Sequence, residues 1–289
     1  MLSRKWFYLF AALIAVGAVC VVFPGSTGSL VQAEVKTLPD VPMVLPEASS
    51  DGVIYLPGVD GEARPTTLMP ELQEHLTEYL EQKRSPIAAV VVTEVATGRI
   101  LAMAQGRHPE KWEGKTHSAL HTGFPAASLF KTVVAAAAFE LGDMDPDKYQ
   151  PLYGGCAHVR TTGVWLKEKQ ARRHNKMHLR RAYGKSCNGF FAKVAVNELG
   201  LGIITNFARR FGWETGFPTD FNLAKSPIRA PSPRYASAHT VGRYAAGFGY
   251  VGISSVHAAW MMQAIANKGL VKPMLLFADT PLRGNDQYT

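Results

Sequence analysis

Apolar and polar positions change rhythm several times along this chain. From Trp6 to Phe23 the residues are almost continuously apolar, with Arg4 and Lys5 before them and Pro24-Gly25-Ser26 after. A basic start, an apolar run and a breaker predict a secretory signal or a single membrane anchor. The run is long for the first and barely long enough for the second. Val31-Gln32-Ala33 offers a cleavage site. Either way the basic flank stays inside and the rest of the chain lies outside the cytoplasm. From Glu34 to about Thr67 prolines and glycines interrupt any period, which predicts a linker.

Pro70 then opens a predicted helix with Leu72, Leu76, Tyr79 and Leu80 as its inward stripe, ended by Ser85-Pro86. Ile87 to Val95 is rich in β-branched residues, Thr97-Gly98 makes a turn, and Arg99 to Ala104 returns, predicting a hairpin. Gly106 to Gly123 reads as loop. Thr132 to Leu141 is apolar on all sides and stopped by Gly142, which predicts a helix buried along most of its length. A further helix carries Phe190, Phe191, Val194 and Leu199 inward and ends at Gly200. Another runs from about Ile203 to Phe211. Phe217 to Pro233 is proline-rich loop, Gly247-Phe248-Gly249 a flexible turn, and Val256 to Asn267 the last clear helix. Pro273 begins an extended tail. There are no internal repeats. A hairpin followed by many helices predicts an α+β fold, an antiparallel sheet with flanking helices and a helical lobe. The expected divisions are 1–33 signal or anchor, 34–67 linker and 68–289 folded domain.

Composition narrows the partners. The chain has 289 residues, 47% hydrophobic and 19% charged, enough for a sizeable core. Its net charge of +8 suits nucleic acid, an anionic membrane or an acidic polymer. It has no zinc finger, no phosphate-binding glycine loop and no basic stretch interleaved with stacking aromatics, so nucleic acid is not an expected partner. Lys167 to Lys185 is strongly basic and reads as a solvated face, with contact to anionic lipid heads or a wall polymer as the sharper alternative. Three cysteines are too few for a disulfide framework. Cys20 falls in the apolar run. Cys156 and Cys187 could pair after export, but spacing does not place their backbones together, and Cys187 reads as a small packing residue. His117 and His121, and His174 and His178, are each four apart. Neither pair has a neighbouring Glu base or a third ligand, and both read as ordinary polar residues.

The chemistry concentrates at Pro125-Ala126-Ala127-Ser128-Leu129-Phe130-Lys131. On a helix, Ser128 and Lys131 share one face, one turn apart. A serine hydroxyl needs a base, and a lysine in a dry pocket can become one. Free N–H groups in the first turn suit a developing oxyanion. Alone the S-x-x-K pattern is weak, but Ser186-Cys187-Asn188 follows it. A second serine can relay a proton, and an asparagine amide can hold a peptide carbonyl. The ordered pair is far more specific than either half.

On these residues the chain resembles the transpeptidase domain of penicillin-binding proteins, serine acyltransferases that cross-link peptidoglycan. The resemblance runs from about Leu68 to Pro273 and includes Thr97-Gly98-Arg99-Ile100-Leu101-Ala102-Met103, Gly247-x-Gly249 and Ala264-Ile265-Ala266-Asn267-Lys268-Gly269. It implies Ser128 as the acylated nucleophile, Lys131 as its base, Ser186 as proton relay and Asn188 as substrate-positioning residue. The backbone N–H of Ser128 would be half of an oxyanion hole. The implied substrate is a D-alanyl-D-alanine stem peptide of the wall, which β-lactams mimic, and no metal or organic cofactor is expected. A serine β-lactamase and a non-catalytic scaffold are the alternatives. The family's third motif, K-S/T-G, is not found in Leu270 to Thr289, and His239-Thr240-Val241-Gly242 lies in the wrong order. The resemblance therefore implies the front part of such a domain. Its sheet and the helix after Ser128 are expected to lack cover unless a second polypeptide completes them.

The charge bias around Trp6 to Phe23 generates a direct test. A reporter joined after Thr289 should be active only outside the cytoplasm, and cytoplasmic activity of the fusion would overturn the export reading.

Overall fold

The computed structural model describes residues 38–83, 87–106, 117–141, 144–147, 149–152, 155–156, 159, 164–166, 176–249 and 251–282. The expected anchor and the first part of the basic run, 167–175, lie outside these residues. Among the described residues no helix is long and apolar enough to cross a membrane. In chain order the main elements are β1 (Tyr55–Pro57), β2 (Ala63–Pro65), α1 (Pro70–Gln82), β3 (Ala88–Thr93), β4 (Ile100–Gly106) and α2 (Lys131–Leu141). Then come α3 (Leu179–Gly184), α4 (Asn188–Val194), α5 (Gly200–Arg210), α6 (Ala238–Ala245) and α7 (Ser255–Ala266). They belong to two units, each formed from separated parts of the chain. The mixture of small antiparallel sheets and helices is the α+β class that the sequence predicts.

One unit holds the β1–β2 and β3–β4 hairpins and is built from residues 38–124, 216–226 and 253–282. β3 and β4 pair antiparallel with Val90 opposite Ala104 and a register shift at Val92/Thr93. Gly98 closes the hairpin at φ 80°, and a Cβ there would lie 1.9 Å from the Pro273 carbonyl oxygen, so only glycine fits. α1 is clamped to β4 by Gln73, whose Nε2 donates to Met103 O (3.0 Å) and whose Oε1 accepts from Met103 N (2.8 Å). Leu80 is buried as expected, but Tyr79 is 49% exposed. Adjacent helix positions point about 100° apart, so only one of the two can face the sheet, and Tyr79 instead lies under the Lys83 ammonium. Within the span expected to be linker, β1 and β2 form a hairpin, and Ile54 and Leu56 are buried.

The extended tail expected from Pro273 is stitched into this unit. Met274 to Phe277 are all buried. Leu275 donates to Gly98 O (3.0 Å) and accepts from Ile100 N (2.8 Å), while Thr67 N donates to Leu276 O (2.8 Å). Asp220, from a distant part of the chain, accepts from Leu276 N (2.8 Å), Phe277 N (3.1 Å) and Thr280 Oγ1 (2.7 Å). Burial pushes its carboxyl above the usual carboxylate range, against the downward pull of these donors. Arg64 pairs with Asp279 and covers the Phe277 ring. α7 packs on β3, whose residues are all half-buried, and among the described residues no strand but β4 pairs with β3.

The other unit is helical and is built from residues 125–215 and 227–252. At its centre, α2 is buried from Lys131 to Ala138, packed by α4, α5 and the wide turn Ala195–Leu199. The cover expected to be missing from this helix is thus supplied by its own unit. Phe130 meets Trp213 and Tyr244 edge-on, each at 5.4 Å between ring centres. Trp213 Nε1 donates to Gly252 O at 2.7 Å, so the indole is satisfied where it is buried.

The tail clasp generates a stability prediction. Asp220→Ala strands two buried backbone N–H donors, each worth about 1–3 kcal/mol when unsatisfied. The expected result is a drop in unfolding free energy of that order in urea, with early protease cleavage after Met274. An unchanged midpoint and digestion pattern would show that the tail is held without Asp220.

Candidate active site

Three side chains that the sequence singles out converge in the helical unit. Ala127 to Phe130 form a tight 3₁₀ turn, and Lys131 begins α2 directly after it. Ser128 therefore sits one turn before Lys131, as the spacing predicts, but on the entry turn rather than within the helix. Lys131 Nζ lies 2.8 Å from Ser128 Oγ, 2.9 Å from Ser186 Oγ and 3.1 Å from Ser186 O. Ser186 Oγ in turn lies 2.7 Å from Ser128 Oγ. The three polar atoms close a triangle, each within hydrogen-bond reach of the other two.

The approach of Ser186 is fixed by how α3 ends. Ser186 N donates to Tyr183 O (2.9 Å) and Cys187 N to Ala182 O (2.8 Å). That pair of bonds is the Schellman ending of a helix, and its residue in left-handed conformation is usually glycine. Here it is Ser186, at φ 50°. A serine in that conformation is strained, and the strain points its hydroxyl at Lys131. Thr132 Oγ1 and Tyr183 OH, 2.6 Å apart, tie α2 to α3 beside the triangle.

Cys187 is joined to Cys156 by a disulfide, with Cα atoms 4.4 Å apart. The reading of Cys187 as a simple packing residue is corrected: it is buried, and it is also a tether. Gly189 N donates to Cys156 O (3.3 Å), and a Cβ on Gly189 would lie 2.6 Å from Gly155 O. The Gly155-Cys156 strap thus lies against the start of α4, beside the residue that follows Ser186. Sequence distance hid this pairing, because it depends on how the chain before Lys176 returns to α4. Asn188 is the first residue of α4, half-buried, two residues beyond Ser186.

Electrostatically the site is set by burial. Lys131 is 1% exposed, and the loss of water pushes its ammonium down to about 8 from the ordinary lysine value of 10.5. A neutral amine can accept the Ser128 proton while its own hydrogens go to Ser186 Oγ and Ser186 O. The arrangement can thus activate one hydroxyl and relay a proton through the other. The Ser128 amide lies in the entry turn of α2, where backbone N–H groups lack acceptors within the helix.

Two of the paired histidines cap local turns, and His174 lies outside the described residues. His178 Nδ1 accepts from Arg181 N (3.2 Å) and caps α3, and His117 Nδ1 accepts from Ala119 N (3.2 Å). Among the described residues no group of three or more His, Cys, Asp or Glu side chains is placed to hold a metal ion.

Known proteins share this architecture. No curated protein matches the chain. Among solved structures it is similar to penicillin-binding protein A from M. tuberculosis in its ceftriaxone acyl-enzyme complex, with TM-score 0.56 and 24% identity over 77% of this chain and 57% of that one. The imipenem acyl-enzyme complex of the same protein matches with TM-score 0.55 and 25% identity over 77% and 57%. PBP2 from Pseudomonas aeruginosa, in complex with WCK 5153, matches with TM-score 0.59 and 19% identity over 77% and 56%. The chain therefore spans a little over half the length of these structures. The family model of the penicillin-binding protein transpeptidase domain matches residues 88–284. That match covers more than half of the chain, and the protein belongs to the penicillin-binding protein transpeptidase family.

Proposed function

We propose that this chain carries the acylation centre of a serine D,D-transpeptidase, acting on D-alanyl-D-alanine stem peptides of the wall outside the cytoplasm and acylated by β-lactams. The observation that carries this reading is the closed triangle of Ser128 Oγ, Lys131 Nζ and Ser186 Oγ around a buried amine. Ser128 Oγ attacks the carbonyl of the penultimate D-alanine as neutral Lys131 takes its proton. The resulting oxyanion is held by the Ser128 N–H. Lys131 passes the proton through Ser186 Oγ to the departing D-alanine nitrogen, the C–N bond breaks, and an ester remains on Ser128. An amine from a neighbouring stem peptide then attacks the ester, and the proton path runs in reverse. Asn188, at the start of α4, positions the donor peptide. β-Lactams form the same ester by opening their strained amide. The acyl-enzyme complexes among the structural neighbours and the apolar, basic-flanked N-terminal run support the reading.

Fluorescent penicillin should label Ser128, and labelling that survives Ser128→Ala would overturn the assignment. A chain that folds but takes no label would favour the non-catalytic scaffold, and rapid steady-state hydrolysis of a chromogenic β-lactam would favour the β-lactamase. Lys131→Ala should slow acylation by about 10²–10³, within the usual range for loss of a general base. Because the neutral amine is the active form, wild-type acylation should rise with pH and level off above about 8. A rate independent of pH between 6 and 9 would remove Lys131 as the base.

The tether gives a separate expectation. Reduction of Cys156–Cys187, or Cys156→Ser, should slow acylation several-fold while the domain stays folded, because Ser186 then loses a covalent restraint next to it. Equal acylation rates in oxidised and reduced protein would show that the α3 ending alone holds Ser186.

A further inference from the structure

The turn after α6 does more than end a helix. Gly247 N donates to Tyr244 O (2.9 Å) and Phe248 N to Arg243 O (3.0 Å), a Schellman ending with Gly247 at φ 83°. Conformation alone would favour glycine there. A second constraint is independent of it. A Cβ on Gly247 would lie 1.8 Å from Ala127 O, 2.5 Å from Ala127 C and 2.9 Å from Ala127 Cα. The bare α-carbon of Gly247 is therefore pressed against the peptide group that joins Ala127 to Ser128. Gly249, two residues on, is a natural contrast, with φ 101° and nothing within 4 Å of an added Cβ.

That peptide group is unusual on its own side. Ala127 sits at φ 45°, a left-handed conformation that an alanine holds only when its surroundings impose it. The same segment is braced at two other points. Ala126 N donates to Val251 O (2.8 Å), and Phe130 packs edge-on against Tyr244 of α6. Peptide groups are planar, and in the trans form the N–H points opposite to the carbonyl; no peptide bond described here is cis. Whatever fixes the Ala127 carbonyl also fixes the direction of the Ser128 N–H.

We infer that Gly247 is a positioning residue for the acylation step, setting the aim of the Ser128 N–H toward the oxyanion through the Ala127–Ser128 peptide plane. The inference rests on the proposed acyltransferase reading and deepens it. Gly247 works through Ala127, which supplies all three of the heavy atoms nearest a Cβ added to it. It acts by allowing one backbone to approach another more closely than any side chain permits. An oxyanion donor is effective only when its N–H is aimed at the place where charge develops, and losing one typically lowers the rate by about 10²–10³.

The test compares wild type, Gly247→Ala and Gly249→Ala in the full chain, measuring the acylation rate constant, the preceding noncovalent binding constant for penicillin, the pH profile and the melting temperature. Both variants place alanine at positive φ, but only the first meets Ala127. Gly247→Ala should lose about 10²-fold in acylation rate, with binding within threefold and the pH midpoint unmoved, because the buried amine keeps its surroundings. Gly249→Ala should acylate within threefold of wild type. Should Gly247→Ala fail to fold, Ala127→Gly added to it lets the segment retreat without a left-handed penalty; this double variant should fold and remain slow. A folded Gly247→Ala or double variant that acylates within threefold of wild type overturns the inference alone. A shifted pH midpoint in either also overturns it, since the damage would then lie in the triangle. Wild type that does not label at Ser128 overturns the parent reading, and this inference with it.

Discussion

One buried amine organises the site. Lys131 is removed from water, and burial is what moves its pKa. The drop from 10.5 to about 8 corresponds to roughly 3 kcal/mol against the charged form. A protein can carry that penalty only if the group has hydrogen-bond partners in place and its surroundings do not relax. Two hydroxyls and one carbonyl supply the partners. Two of the three come from Ser186, which lies far from Lys131 in sequence. The elements around it can be understood as the means of holding Ser186 where the amine needs it.

That holding is done by backbone in unfavourable conformation, restrained from outside. Ala127, the neighbour of Ser128, and Ser186, a member of the triangle, are both left-handed. Each such residue costs about 1–3 kcal/mol in isolation. Ser186 is over-determined by the Schellman bonds of α3 and by the disulfide at the next residue. Ala127 is over-determined by the Val251 carbonyl on Ala126 and by Gly247 pressed against its peptide. Strain at the triangle, with rigid support behind it, is the arrangement expected of a preorganised site rather than of an adaptable binding surface.

What was legible in the sequence follows from the range of each interaction. Ser128 and Lys131 are local partners, so their spacing alone places them together. The helices at 131–141, 200–210 and 255–266 lie within a few residues of the expected positions, because their apolar runs and glycine stops are local too. Ser186 was legible only as part of an ordered motif. The function of Gly247 was not, because a glycine needed for approach looks the same in sequence as a glycine needed for a turn. The stretch Met274 to Phe277 read as a tail because four apolar residues carry no period. Its burial depends on Asp220 and Thr67, which arrive from other parts of the chain.

The alanines of α2 have a reason in this geometry. Ala135 to Ala138 are all fully buried, in a helix where larger apolar residues would bury more surface. Small side chains let neighbouring backbones come close, and α2 packs against α4, α5 and the wide turn Ala195–Leu199. The same closeness recurs where α6 crosses α4, since a Cβ on Gly242 would lie 2.7 Å from that of Ala192. Small residues around α2 therefore exchange apolar burial for proximity. Large side chains are kept for the flank, where Phe130, Trp213 and Tyr244 fill the space beside the Ser128 turn. The division of labour is physical: aromatic bulk fixes the position of the turn, and small residues fix its distance from its partners.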